Sequence, residues 1–177
     1  MTDLLKISER TYSQEVLQKL DKYFTVQEQV RGTHYSGKRL IIDAIIKPRD
    51  ASLWANKDIA LGVEFKLTDS IREDARKFTG WVAQCVDYAN TDWDEHGLVH
   101  VFACPGIDIK DLPIEFRDRN VVRFAERMMS QFGVGSLKHD SYLGHYLALQ
   151  SDHVIWSDKY GVQEGKRWKL ERKYGSR

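Results

Sequence analysis

Arg39-Leu-Ile-Ile-Asp-Ala-Ile-Ile-Lys47, followed after a gap by Ile59-Ala-Leu-Gly-Val-Glu-Phe-Lys66, reads as two apolar strands that each carry charge where a buried strand has none. The first embeds Asp43; the second closes on Glu64-x-Lys66. An isolated buried carboxylate is costly unless a metal ion or a cationic partner compensates it. Two acids and a lysine on neighbouring strands would make a hard-cation site with an amine beside it. Alternate residues of a strand share a face, so Ala60, Gly62, Glu64 and Lys66 point one way and Ile59, Leu61, Val63 and Phe65 the other. The charged pair thus shares its face with the two smallest side chains, which leaves room for a metal and a phosphate. The competing reading is an edge strand whose exposed face is charged.

With 30% charged residues, Glu-x-Lys alone carries little weight, and the chain has two more, Glu164-Gly-Lys166 and Glu171-Arg-Lys173. Those sit in a polar, basic tail. Only Glu64-Phe65-Lys66 ends a strand pattern preceded by a second strand with an embedded acid. Downstream, Ser70-Ile-Arg-Glu73 fits a helix-opening capping box. Ile71, Ala75, Phe78, Val82, Cys85 and Ala89 then recur at helical spacing as a core stripe. Lys77, Trp81, Gln84 and Tyr88 form a second stripe, turned roughly 110° from the first, a polar-aromatic flank beside the end of the Glu-x-Lys strand.

In this order Asp43, Glu64-x-Lys66 and Gln84-x-x-x-Tyr88 resemble the PD-(D/E)XK nuclease superfamily, in its RecB-type branch with a Gln-x-x-x-Tyr motif. The resemblance covers residues 38 to 104. It implies a mixed α/β, restriction-endonuclease-like core, a central mixed sheet flanked by helices. It also implies a metal-dependent DNA nuclease that hydrolyses phosphodiester bonds, in DNA-end processing or as an exonuclease. A structure- or sequence-specific endonuclease and a catalytically silent DNA-binding or scaffold module stay open. Carried over residue by residue, Asp43, Glu64 and the backbone carbonyl of Phe65 would ligate Mg²⁺ or Mn²⁺. Lys66 would orient or activate the attacking water, Gln84 would hold a phosphate or the lysine, and Tyr88 would support the helix flank or the DNA. Mg²⁺ takes oxygen ligands and keeps several waters, so few carboxylates suffice. His34, in Gly32-Thr-His-Tyr-Ser-Gly37, is the candidate upstream histidine ligand, or else a turn residue or a DNA contact. Glu15, on the first helix, is a candidate for the acid that several superfamily members bring from that helix, or a solvated charge. With only Cys85 and Cys104, both expected as buried thiols, no iron–sulfur cluster is expected.

A chain of 177 residues with 42% hydrophobic and 11% aromatic content suits one compact unit. We expect a single nuclease domain over 1–177, with its core at about 13–104 and a C-terminal elaboration over 105–177. Net charge is +1, but Lys159 to Arg177 holds seven Lys or Arg against two acids, with Trp168 and Tyr174 among them. That mixture suits a phosphate backbone and stacked bases, and equally a solvated tail. Candidate DNA contacts are Arg72, Arg76, Lys77, Lys166, Arg167 and Lys169. No run is long and apolar enough to span a membrane, the N-terminus lacks a signal-peptide pattern, and two cysteines without a disulfide framework point to the cytoplasm. The small size suggests a phage or mobile-element enzyme, or a subunit of a larger DNA-processing assembly; a homo-oligomer is also open.

Along the chain, Ser13 to Tyr23 reads as a first helix and Phe24, Val26, Glu28 and Val30 as a first strand. Pro48 to Asp58 reads as a polar loop that could overhang the site with Trp54 and Lys57. Thr91 to Gly97 reads as an acidic surface turn and Gly97 to Cys104 as a further central strand. Val121 to Gln131 suggests a short helix with Arg123 and Arg127, and Val134 to Trp156 an appended antiparallel hairpin. His139, His145 and His153 lack tight ligand spacing and read as structural rather than zinc-binding.

Overall fold

A computed structural model describes residues 8–67, 75–106, 126–150 and 153–163, with the backbone only for 75–78. The elements run α1 (Glu9–Leu20), β1 (Phe24–His34), β2 (Arg39–Pro48), β3 (Leu61–Phe65), α2 (Ala75–Ala89), β4 (Thr91–Trp93), β5 (His100–Cys104), β6 (Val134–Asp140), β7 (Gly144–Leu149), β8 (His153–Ser157) and β9 (Gly161–Val162). The nine strands among the described residues join one mixed sheet in the order β4-β1-β2-β3-β5-β6-β7-β8-β9. The pairs β3–β5 and β5–β6 are parallel and the rest antiparallel. The class is mixed α/β, with a large sheet and few helices.

Among the described residues α1 lies on one face of the sheet and α2 on the other. Val16, Leu17 and Leu20 of α1 pack with Ala44, Ile46, Leu61, Val63, Phe65, Phe102 and Trp156. On the other face Trp81, Cys85, Tyr88 and Ala89 of α2 pack with Ile42, Ile45, Val99, Val101 and Ala103. A parallel strand buried on both faces has little reason for polar side chains, and every residue of β3 is buried. Glu64 is therefore an ionisable group set into the middle of the molecule.

The alternation expected of β3 holds through Glu64. Leu61, Val63 and Phe65 face α1, while a Cβ on Gly62 would meet Ile42, Val99 and Val101 on the α2 side. The alternation of β1 and β2 does not hold. Val26 and Ile46 pack on the α1 face, but Val30 and Ile42 pack on the α2 face. Between them Gln29 and Asp43 fall at the step where cross-strand pairing lapses. Gln29 has φ 53, a left-handed conformation that costs a non-glycine residue about 1–2 kcal/mol. The kink exchanges the faces of both strands and turns Asp43 toward the β3 edge.

Several sequence expectations need correction. The first helix starts four residues earlier than Ser13, because Ser8 caps it by accepting from the Thr11 amide, and Tyr23 lies beyond its end. Trp54 does not overhang the site; it is 3% exposed and belongs to the α1-side core. Lys57 bonds the loop's own carbonyls at Ala51 and Ser52. The acidic stretch after α2 is not a plain turn. It holds edge strand β4, whose Trp93 is 1% exposed and donates from Nε1 to the Tyr88 carbonyl. The antiparallel pairing expected over 134–156 is present as β6–β7 and β7–β8, but it is not appended to the core: β6 runs parallel to β5, and β6 to β9 continue the same sheet. Residues 126–131 are helical, with Arg127 exposed; 121–125, including Arg123, lie outside the described residues. So do Ser70 to Glu73. Among the described residues no helix is long and apolar enough to cross a membrane.

Candidate active site

The ladder between β2 and β3 stops at Ala44 and Val63. Past that point Asp43 takes over: its Oδ2 accepts from the Phe65 amide at 2.9 Å, and its Oδ1 receives a long bond of 3.4 Å from Gln29 Nε2. A side chain thus replaces a main-chain carbonyl in satisfying the strand. It also sets the Asp43 carboxyl beside the Glu64–Phe65 backbone, close enough for its charge to act on the Glu64 carboxyl. The two acids quoted from the sequence meet.

Glu64 is 5% exposed and points toward α2. Its Oε1 accepts from Gln84 Nε2 at 2.9 Å. Its Oε2 is buried with no partner among the described residues. Burial, reinforced by the negative charge of Asp43, pushes the Glu64 carboxyl from 4.5 up to about 9, against the pull of Lys66. A buried oxygen without a donor, beside a second carboxylate, calls for a proton or a cation. Oxygen-only chemistry of this kind suits a hard divalent ion that retains water. Among the described residues no group of three His, Cys, Asp or Glu gathers for a metal, so any ion here would rest on two acids, backbone and water.

Lys66 departs from the expected parity. It lies one residue past β3, and its ammonium turns toward α1, 3.7 Å from Glu9 Oε2. The same Glu9 oxygen accepts from the Leu67 amide at 3.1 Å. The charge of Lys66 still acts on Glu64 and on Cys85 through space, while the direction of its side chain is set by Glu9.

The first-helix acid at this site is therefore Glu9, not Glu15, which is exposed on α1 away from the buried stripe of Val16, Leu17 and Leu20. The missed signal was Ser8-Glu9, a cap residue followed by an acid in the first turn.

On α2, Gln84 Nε2 donates to both Glu64 and the Tyr88 hydroxyl, each at 2.9 Å. Gln84 holds the acid rather than Lys66. Tyr88 is 7% exposed, meets Trp93 edge-on at 5.4 Å, and has its hydroxyl pushed up to about 12 by burial and then by Glu64. The polar-aromatic stripe does lie beside the Glu-x-Lys strand, with Trp81 and Tyr88 in the core between α2 and the sheet. Cys85 is fully buried, and its thiol is raised well above its usual 9.0 by burial, then by Glu64 and Asp43. Cys104 meets the Tyr12 hydroxyl at 3.5 Å.

His34 is the turn residue that one of its readings expected: its carbonyl accepts from the Gly37 amide at 2.8 Å. It ends β1, is 6% exposed, and its ring contacts Ser36 Oγ at 2.8 Å, Asp87 at 3.8 Å and Tyr35. Those contacts lead away from Asp43 and Glu64. In the C-terminal strands, His145 meets Asp158 at 3.7 Å and the His139 ring at 4.6 Å. Arg72, Lys166, Arg167 and Lys169 lie outside the described residues. Arg76 and Lys77 are in the backbone-only part of α2.

No known protein family, no curated protein and no solved structure matches this chain.

Proposed function

We propose that the chain is a metal-dependent deoxyribonuclease of the PD-(D/E)XK kind, with Mg²⁺ or Mn²⁺ as its ion and Asp43, Glu64 and Lys66 at its centre. One observation carries this reading: a buried glutamate with an unpartnered oxygen lies against a second acid at the end of a central parallel strand. The sheet with α1 and α2 on opposite faces and β3 beside β5 supports a restriction-endonuclease-like core.

Asp43, Glu64 and the carbonyl of Phe65 would hold the ion. When bound, such an ion lowers the pKa of a coordinated water and offsets charge building on a phosphate. Gln84 holds Glu64 by one oxygen and leaves the other free to ligate, and Tyr88 fixes Gln84 from behind. Supporting contacts of this kind orient ligands and tune their basicity. Lys66 supplies a positive charge for the phosphate or the attacking water. Glu9 holds that amine until an anionic substrate competes for it. The Gln84-x-x-x-Tyr88 helix favours action at DNA ends. The engagement of Lys66 by Glu9 favours a second reading, a silent DNA-binding module whose amine is never released.

Incubation with circular, linear and single-stranded DNA in Mg²⁺, Mn²⁺ or EDTA separates these readings. The nuclease reading expects cleavage that needs the metal and is lost in a folded Lys66→Ala variant. Loss of linear DNA alone marks an exonuclease, and cutting of closed circles an endonuclease. Retention of DNA without cleavage in either metal assigns the binding module and refutes the enzyme.

A further inference from the structure

Parity carries two histidines onto the α1 face of the sheet. Leu137 of β6 and Leu147 of β7 are cross-strand partners in the α1-side core. Two residues out along each strand, His139 and His145 are partners in the same ladder and share that face. The leucine pair is thus continued by a pair of imidazoles. Their ring centroids are 4.6 Å apart, inclined at 53°. His139 is exposed, and His145 is 7% exposed.

The end of α1 is seated beside these rings. Lys19 stands in the last turn of the helix, and its charge acts on His145. Tyr23, just past the helix, donates to the Asp158 carbonyl at 3.1 Å, and its ring meets Trp156 edge-on at 5.3 Å. The Asp158 amide donates in turn to the His145 carbonyl at 2.9 Å. One residue therefore ties the exit of α1 to the strand that carries the buried imidazole.

The charges around His145 are uneven. His139 faces it from β6, Lys19 from α1 and Asp158 from the β8–β9 turn. Asp158 opposes the other two, but its Oδ2 stands 3.7 Å from His145 Nδ1, beyond hydrogen-bond reach. Its carboxylate is packed against Gly144, where a Cβ would collide with it. Neighbouring charges are engaged elsewhere: Asp140 Oδ1 accepts from the amides of Tyr142 and Leu143, and Lys159 donates to the Ser141 carbonyl. A proton on His145 would stand buried between an imidazole and an ammonium, with no carboxylate bonded to it. Burial first, then His139 and Lys19, hold the His145 ring below its ordinary 6.5, against the pull of Asp158.

We propose that His145, His139 and Lys19 form an acid-sensitive clasp: neutral rings let the end of α1 lie seated on β6 and β7, and protonation of the pair sets three cations together and releases it. The native state holds the His145 proton less tightly than the open chain does. The seating is therefore complete above 6.5 and is lost as pH falls below it. At its other end the same helix carries Glu9 to Lys66, so the helix released is the one that directs that amine. The clasp itself stands without the nuclease reading.

The test follows the histidine rings by NMR titration and the hydrogen-exchange protection of the Leu17 and Leu20 amides, in EDTA at pH 8 and pH 5. Wild type is compared with Lys19→Met, Asp158→Asn and His145→Gln; Glu64 titrates alike in all four and cancels in the comparison. His145 is expected to titrate below 6.5 in wild type, higher in Lys19→Met and lower in Asp158→Asn. Protection of the α1 amides, corrected for intrinsic exchange, is expected to fall in acid by about three- to thirtyfold, the upper figure being the limit for a native ring that stays neutral. That loss is smaller in Lys19→Met, whose exposed side chain leaves folding intact, and absent in His145→Gln. Titration of His145 above 6.5, as when Asp158 closes the 3.7 Å gap into an ion pair, overturns the clasp. So does an equal acid loss of protection in wild type and His145→Gln. An unaltered His145 midpoint in Lys19→Met overturns it as well, even where His145→Gln does not fold.

Discussion

Replacing Glu64 by glutamine should stabilise the metal-free protein at alkaline pH and do little at pH 5. Glutamine matches glutamate in shape, keeps an acceptor for Gln84 and adds a donor that can reach Asp43. What it removes is ionisation. The folded protein holds the Glu64 proton up to about 9, whereas the unfolded chain releases it near 4.5. In that window the native state binds the proton more tightly. Glu64's stabilising contribution is therefore complete below pH 4.5 and is lost as pH rises toward 9. Each pH unit of that window is worth ~1.4 kcal/mol. At pH 8 this gives an upper bound of about 5 kcal/mol, which relaxation and water entry reduce to about 2–3 kcal/mol. At pH 5 the difference falls below about 1 kcal/mol. Native stabilities are on the order of 5–15 kcal/mol, so the alkaline effect is large enough to read by urea denaturation in EDTA at both pH values. Mg²⁺ should stabilise the wild type through preferential binding to the native state, and not Glu64→Gln. An equal gap between the two proteins at pH 5 and pH 8 would refute a proton-holding, buried Glu64.

Other expectations follow from the same packing. Glu9→Gln should change stability by less than about 1 kcal/mol, because the Lys66 contact is long and half in water, yet it should alter metal-dependent cleavage by freeing the amine; unchanged cleavage would remove Glu9 from the site. Gly135→Ala should cost more than Gly62→Ala in denaturation. A Cβ at Gly135 would stand 2.5 Å from the Ala148 carbonyl oxygen, which is backbone and cannot yield, while at Gly62 the first obstacle is the tip of Ile42; overpacking of this kind costs about 1–3 kcal/mol. Cys85 and Cys104, the latter pushed up to about 12 by burial, should resist a thiol reagent at pH 8 in the native state and both react after unfolding. Rapid native labelling of either would contradict their burial.

Much of the site was legible because period-two alternation and motif order are local. Parity put Glu64 on the face opposite Leu61, Val63 and Phe65, which the structure covers with α2, and the spacing of Gln84 and Tyr88 put a polar pair on one flank of that helix. Asp43 met Glu64 by a route that no alternation shows, since the kink at Gln29 and Asp43 exchanges strand faces. Lys66 left its expected face because Glu9, in the first turn of α1, draws it away. Trp54 and Trp93 were read by the polarity of their neighbours, yet a large aromatic in a polar stretch is commonly the residue that anchors it to the core. The pairing of β6 with β5 is a long-range choice, reached through a connection whose length says nothing about which strand receives it.

The most direct test is calorimetric titration of Mn²⁺ into the apo protein at pH 8, repeated in buffers of different protonation enthalpy. Binding to wild type with net proton release, and loss of that binding in both Asp43→Asn and Glu64→Gln, is the result expected of two acids that share an ion with Glu64 protonated beforehand. Equal Mn²⁺ affinity in wild type and both variants, or none in wild type, would contradict it.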